Sequence, residues 1–178
     1  MVYFTSDLHF GHENIIRFCE RPFENSEEMD KVLIENWNNT VNNNDTVYVL
    51  GDFTMFKNPE VAKNYISQLK GKILFMHGNH DSWMRNFDFS KNDRIKDIGQ
   101  YAEVSLNYKK IILCHYPFAE WNHFYRGAFH FHGHQHNGEE YNRVNIDDGL
   151  RRYDVGVDAN NFRPISIDEI LEKFGEKK

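Results

Sequence analysis

Long apolar runs are absent from this sequence, so no segment is long and greasy enough to span a membrane as a helix, and no membrane partner is expected. Cysteine is nearly absent too. Cys19 and Cys114 are the only two, and neither lies in a CxxC spacing. That excludes a disulfide framework and a thiolate zinc site, and it points to two reduced thiols in a cytoplasmic protein. Proline and glycine are sparse, at 4 and 11 among 178 residues, and they form no linker. Positive charge is in deficit, with 21 Lys and Arg against 27 Asp and Glu, a net of −6. Proteins that grip long duplex DNA need a basic surface, so long duplex DNA is not an expected partner. The first residues, Met-Val-Tyr-Phe-Thr-Ser-Asp, read as a strand rather than a leader peptide.

What remains is a chain that is 40% hydrophobic and 15% aromatic, enough for a real core. With no repeat or low-complexity tract, residues 1–178 are expected to form a single domain. Strand-like runs are Val2–Thr5, Thr46–Leu50, Lys72–Met76, Ala102–Leu106, Lys110–Cys114 and Val155–Val157. Asn107-Tyr108-Lys109 joins the fourth and fifth as a hairpin. One helix is expected from about Ser26 to Val41, with Met29, Leu33, Trp37 and Val41 spaced by four. A second has Asn58 as cap, Pro59 in its first turn, Ala62, Ile66 and Leu69 inside, and Gly71 beyond its end. A third begins at Ser166, with Glu169 in capping-box spacing. Strands alternating with helices, then a hairpin, predict an α/β layered fold with mixed sheets.

Histidine is the residue in excess, with ten, and it clusters with Asp and Asn just after predicted strands. The segments are Asp7-Leu8-His9, Gly51-Asp52, His77-Gly78-Asn79-His80-Asp81, His115-Tyr116-Pro117 and His132-Gly133-His134-Gln135-His136. In open α/β sheets, sites gather beyond the carboxyl ends of strands. Alternation along an extended segment would turn Asp7 with His9, and His134 with His136, toward one point. Carboxylate, imidazole and amide oxygen together suit Mn²⁺, Fe²⁺, Zn²⁺ or Ni²⁺, with Mn²⁺ favoured.

The order Asp-x-His, Gly-Asp, Gly-Asn-His-Asp, His, Gly-His-x-His resembles the calcineurin-like metallophosphoesterase superfamily. The strings Asp-Leu-His-Phe-Gly-His-Glu-Asn and Asp-Val-Gly-Val-Asp-Ala-Asn-Asn-Phe-Arg-Pro look like a small, capless bacterial or phage branch. The resemblance implies two packed mixed sheets flanked by helices, and a dinuclear metal centre. Asp7, His9 and His136 would bind one divalent ion, Asn79, His115 and His134 the other, and Asp52 would bridge them. His80 would be catalytic, and Asp81 would orient it through a hydrogen bond. Two cations about 3.5–4 Å apart clamp phosphoryl oxygens and lower the pKa of a bridging water, whose hydroxide attacks in line. The missing cap leaves substrate choice to other features.

Those features are weaker. His12 stands equally well as a surface histidine or a substrate contact. His132 shares a side with His134 and could support it, whereas His77 and His130 read as packing, and His123 receives no role. Tyr116, Phe118, Trp121, Phe124, Tyr125, Phe129 and Phe131 read mostly as packing, and otherwise as a wall that stacks a ring. Arg126, Arg151 and Arg152 are phosphate contacts or plain surface cations. The favoured function is hydrolysis of a small or nucleotide-like phosphodiester. The rivals are a nuclease or nucleic-acid end-processing enzyme, and a non-catalytic metal-binding scaffold.

Overall fold

A computed structural model describes residues 1–176. Two mixed sheets lie face to face. The first has the order β4-β3-β2-β1-β9, from β1 (Val2–Thr5), β2 (Thr46–Val49), β3 (Lys72–Phe75), β4 (Ile95–Asp97) and β9 (Ile165–Ser166). β1 to β4 run parallel, and β9 joins β1 antiparallel. The second has the order β5-β6-β7-β8, from β5 (Tyr101–Leu106), β6 (Lys109–Cys114), β7 (Phe129–His132) and β8 (Arg152–Asp154). Only the β5–β6 hairpin is antiparallel there. Its turn residues Asn107 and Tyr108 both have positive φ, 48° and 60°, as a tight hairpin twist requires.

Strand alternation divides the core. Val47, Val49, Ile73 and Phe75 face the helices α2 (Ser26–Thr40) and α3 (Pro59–Gln68), meeting Met29, Leu33, Trp37, Ala62 and Ile66. Phe4 faces the other sheet, with Leu50, Met76, Ile111, Leu113, Phe129, Phe131 and Tyr153. Phe4 meets Phe131 edge to face across the gap at 4.9 Å. Both helices start as expected: Asn25 accepts from Glu28 N, and Asn58 from Glu60 N. In α5 (Ile167–Lys173), Ser166 and Glu169 form the full capping box.

Several expectations are corrected. Val155–Val157 is not a strand: the strand is Arg152–Asp154, and a 3₁₀ turn follows at Val157–Ala159. β7 was missed because all four of its residues are buried, so no alternation marks it. β4 and β9 are too short to stand out. The helices α1 (Glu13–Phe18) and α4 (Glu139–Asp147) were also missed. α4 turns Asn142 and Asn145 inward, so it lacks an apolar stripe. Asn142 instead acts as a strand partner, bonding both the N–H and the carbonyl of Asp154 at 2.7 and 2.8 Å. Because β1, β2, β3, β6, β7 and β8 all end on one side, the loops after them converge there.

Candidate metal centre

The loop after β1 presents Asp7 and His9, that after β2 presents Asp52, and that after β3 presents Asn79 and His80. Those after β6 and β7 present His115, His134 and His136. The loops assemble through their main chains: Asp7 N donates to Gly51 O and His9 N to Asp52 O, both at 3.0 Å. The backbone here is not extended, which corrects the alternation argument. Asp7, His9, Asp52, His134 and His136 have φ of 57°, 52°, 54°, 74° and 50°. Left-handed residues turn the chain sharply, and that turn, rather than a strand pleat, aims i and i+2 at one point. Glycine makes room for this. A Cβ on Gly78 would overlap Asp52 Oδ1, and one on Gly133 would overlap Asp7 Oδ2 and Ser6 Oγ.

Donor atoms of Asp7, His9 and His136 lie within 4.8 Å of one another, and so do those of Asp7, Asp52 and His115. Asp7 is common to both groups, and Asp52, a member of the second, also reaches His9 of the first. Asp52 Oδ1 accepts from His80 N at 2.8 Å. Its Oδ2 faces His9 Nε2 at 3.5 Å, His115 Nε2 at 3.6 Å and His80 Nε2 at 4.0 Å. Asn79 Oδ1 meets His115 Nε2 at 2.9 Å and His134 Nδ1 at 3.0 Å. His115 Nδ1 lies 2.8 Å from Leu50 O, a partner that can only accept, so Nδ1 carries the proton. When neutral, His115 Nε2 is then a lone-pair donor, converging with Asn79 Oδ1 and Asp52 Oδ2.

These residues fit a cation. Asp7 Oδ1 and both ring nitrogens of His9 are buried without a hydrogen-bond partner. Unpaired buried polar atoms are costly, and a metal ion satisfies them. Burial pushes the Asp7 carboxyl well above the usual carboxylate range. Burial, then the charges of His136 and Arg21, drives His9 far down, so its imidazole is neutral and ready to ligate. Burial opposes charge on His136 more than any other single influence, but hydrogen bonds to Asp158 and Cys19 and the charges of Asp7 and Asp158 together outweigh it and raise the group to about 10, so a metal ion there would displace that proton. The donor set is oxygen and nitrogen throughout these groups, which suits Mn²⁺, Fe²⁺, Ni²⁺ or Zn²⁺.

Asp81 departs from its expected role. Its Oδ2 accepts from Asp52 N at 2.6 Å and Gly78 N at 2.9 Å. Its Oδ1 accepts from Phe53 N and the Trp83 indole, both at 2.9 Å. None of these four bonds goes to His80, so Asp81 shapes the two loops beneath the site instead of orienting the imidazole.

The flanking residues sort clearly. His12 packs beside His9, ring centroids 5.3 Å apart. His77 pairs with Asp97 at 2.9 Å. His130 stacks on Phe118, and His132 bonds Gly133 O and the Tyr141 hydroxyl. Burial lowers His130 to about 3 and His132 to about 4. Phe118, Trp121 and Phe124 form a small core with Ile112 and Ala128, and Phe129 and Phe131 are buried. Tyr116 alone of that aromatic segment borders the ligands, 4.6 Å from the His134 ring and 44% exposed. Arg126 and Arg151 line a basic cleft with Lys109 and Lys110, at the starts of β6 to β8. A six-residue strand puts that cleft roughly 20 Å from the ligands. Arg152 donates to Phe118 O. Four neighbours received no role from the sequence: Cys19 and Arg21, and Asp154 and Asp158, which stand in the string Asp-Val-Gly-Val-Asp quoted only as a mark of the branch. Cys19 and Asp158 approach His136, and Asp154 is buried near Asp7.

Comparison with known proteins gives the family and the fold. The chain is 36% identical over 179 residues to an uncharacterized protein of Methanocaldococcus jannaschii, covering 99% of this chain and 93% of that one. It is 28% identical to the Gene 66 protein of Mycobacterium phage L5, covering 96% and 92%. The crystal structure of a protein of unknown function from Aquifex aeolicus superposes with a TM-score of 0.72 at 27% identity, covering 97% and 98%. Among the described residues, no helix is long and apolar enough to cross a membrane. Residues 1–153 match the calcineurin-like phosphoesterase superfamily domain, and the chain belongs to that family.

Proposed function

We propose that the protein hydrolyses small or nucleotide-like phosphodiesters at a dinuclear centre. The observation that carries this reading is that one carboxylate oxygen of Asp52 faces both His9 and His115, at 3.5 and 3.6 Å, one ligand from each proposed position. Asp7, His9 and His136 would hold one divalent cation and Asn79, His115 and His134 the other, with Asp52 shared and Mn²⁺ favoured. The pair would supply Lewis-acid charge for the phosphoryl oxygens and lower the pKa of a water.

The remaining work falls to the chain. The His80 main-chain N–H fixes Asp52 Oδ1, while its imidazole stays 39% exposed beside Oδ2. This exposed imidazole supports a role for His80 in donating a proton to the departing ester oxygen. Tyr116 offers an exposed ring edge next to His134, which suits a base or aromatic alcohol. The basic cleft lies at the far end of the sheet, so it does not extend the site into a track for a long backbone. That favours a small substrate over nucleic acid.

The test is a substrate panel with Mn²⁺, Ni²⁺, Zn²⁺ and Mg²⁺ added singly. Bis-nitrophenyl phosphate and cyclic nucleotides should turn over faster than nitrophenyl phosphate or oligonucleotides. Preferred cleavage of oligonucleotides would make the protein a nuclease. Full metal occupancy with no hydrolysis would make it a scaffold.

A further inference from the structure

Arg21 is 4% exposed, and it reaches the site from behind. A buried guanidinium must be fully engaged, and this one is. Its Nε and one terminal nitrogen clamp the two carboxylate oxygens of Asp158, each at 2.8 Å. The same terminal nitrogen donates to Asp7 O at 2.7 Å. The other donates to Leu8 O at 3.2 Å. Asp158 is not spent on Arg21 alone: its Oδ2 also meets His136 Nδ1 at 2.9 Å.

We infer that Arg21 and Asp158 are a positioning pair dedicated to one of the two metal positions, that of Asp7, His9 and His136. This rests on the two-metal reading above. A carboxylate behind a ligating imidazole fixes its tautomer and orientation. With Asp158 accepting at Nδ1, Nε2 of His136 is the atom left facing Asp7, whose Oδ1 lies 4.0 Å away. Arg21 holds Asp158 by a two-pronged clamp that only a guanidinium makes. Through the carbonyls of Asp7 and Leu8 it also braces the left-handed turn that carries Asp7 and His9. One side chain therefore reaches all three ligands of one position. Asn79, His115 and His134 are held instead by one another, by Leu50 O and by Asp7 Oδ2. Neither Arg21 nor Asp158 bonds Asn79, His115 or His134, and Asp7 Oδ2, which accepts from His134 N, is a link between the two sets.

The one-sidedness is the test. Mn²⁺ alone is titrated into metal-stripped full-length protein by calorimetry, with bound metal counted by elemental analysis and thermal unfolding recorded beside it. Asp158→Asn should weaken one of two Mn²⁺ by about 10- to 100-fold and leave the other within a few-fold. Arg21→Lys keeps the charge but loses the two-pronged geometry, and should give a smaller loss on the same ion. Asp158→Asn leaves the Arg21 charge buried and unpaired, so Arg21→Met with Asp158→Asn, which removes both charges, is a second arm with the same expected pattern. Long-range ¹H–¹⁵N spectra should also show His136 losing its fixed Nδ1 proton. Equal weakening of both ions, or unchanged binding with a lower melting temperature, overturns the inference. Wild-type protein that binds fewer than two Mn²⁺ would instead reject the two-metal reading, so the two failures are distinct.

Discussion

Asp81→Asn separates two roles open to one carboxylate. Asp81 accepts four hydrogen bonds, two on each oxygen, from Asp52 N, Gly78 N, Phe53 N and the Trp83 indole. Asparagine keeps one acceptor oxygen. Whichever way its amide turns, an NH₂ then faces two N–H donors, so two bonds vanish and two buried donors are orphaned. Each orphaned group costs about 1–3 kcal/mol, so the loss should be about 2–6 kcal/mol. In a chain of this length each kcal/mol lowers the melting temperature by about 2–4 °C, giving a fall of roughly 10 °C for a mid-range loss. The Asp52 main chain would shift with it, so metal affinity should fall in parallel. Calorimetric unfolding and metal titration measure both, alongside steady-state kinetics. An unchanged melting temperature with a large loss of kcat would refute this reasoning and restore Asp81 as the partner that orients His80.

His80→Ala should retain both metals yet lose about 10² to 10⁴-fold on a diester with a poor leaving group, and less with nitrophenolate; loss of metal on elemental analysis would make His80 a ligand. Asp52→Asn should weaken both metals and abolish turnover, whereas His136→Ala should weaken one, as Mn²⁺ titration will report. Mn²⁺ at about 100 times its Kd should stabilise the stripped protein by about 2.7 kcal/mol per site, or roughly 5–10 °C, and a melting curve indifferent to Mn²⁺ would contradict a site built into the native fold. Burial opposes ionisation of Glu169, but bonds from Arg163 and Ser166 win and hold it at about 2, below its ordinary 4.5. Its contribution is thus present above about pH 4.5 and lost as pH falls toward 2. Screening at this partly exposed position leaves about 1 kcal/mol, which Glu169→Gln should remove from the pH 7 stability but not from that at pH 2.

Much of this molecule could be read from the chain because its signals are local. The capping box at Ser166 and Glu169, the Asn58-Pro59 start of α3 and the four-residue spacing in α2 each lie within one helix, and each formed as expected. The candidate ligands stand in short segments, so their residue types could be read from the chain, whereas their left-handed geometry could not. What stayed hidden depends on distant partners. Arg21 gains its meaning from Asp158, 137 positions away, and Asp81 from the loop at Asp52 and Phe53. α4 was obscured because Asn142 pairs with a strand main chain, a task that no hydrophobic pattern records. Trp121 and Phe124, candidates for a substrate wall, pack into a separate small core, and only the completed fold decides which rings stay open.

The left-handed backbone at Asp7, His9, Asp52, His134 and His136 bears on how such a protein would age. This conformation costs non-glycine residues roughly 1–2 kcal/mol each, less for Asp and His, which tolerate it better. Side chains at those positions serve the site, and those of Asp7, Asp52 and His136 also tie its loops together. A descendant that abandoned hydrolysis for some other duty would be released from that expense. Glycine at 9 or 134 would relax the main chain, whereas at 52 or 136 it would also remove a partner of His80 N or of Asp158. Lineages of this fold that have fallen silent should therefore accumulate glycine at 9 and 134, and melt higher in the absence of metal than their working ancestors.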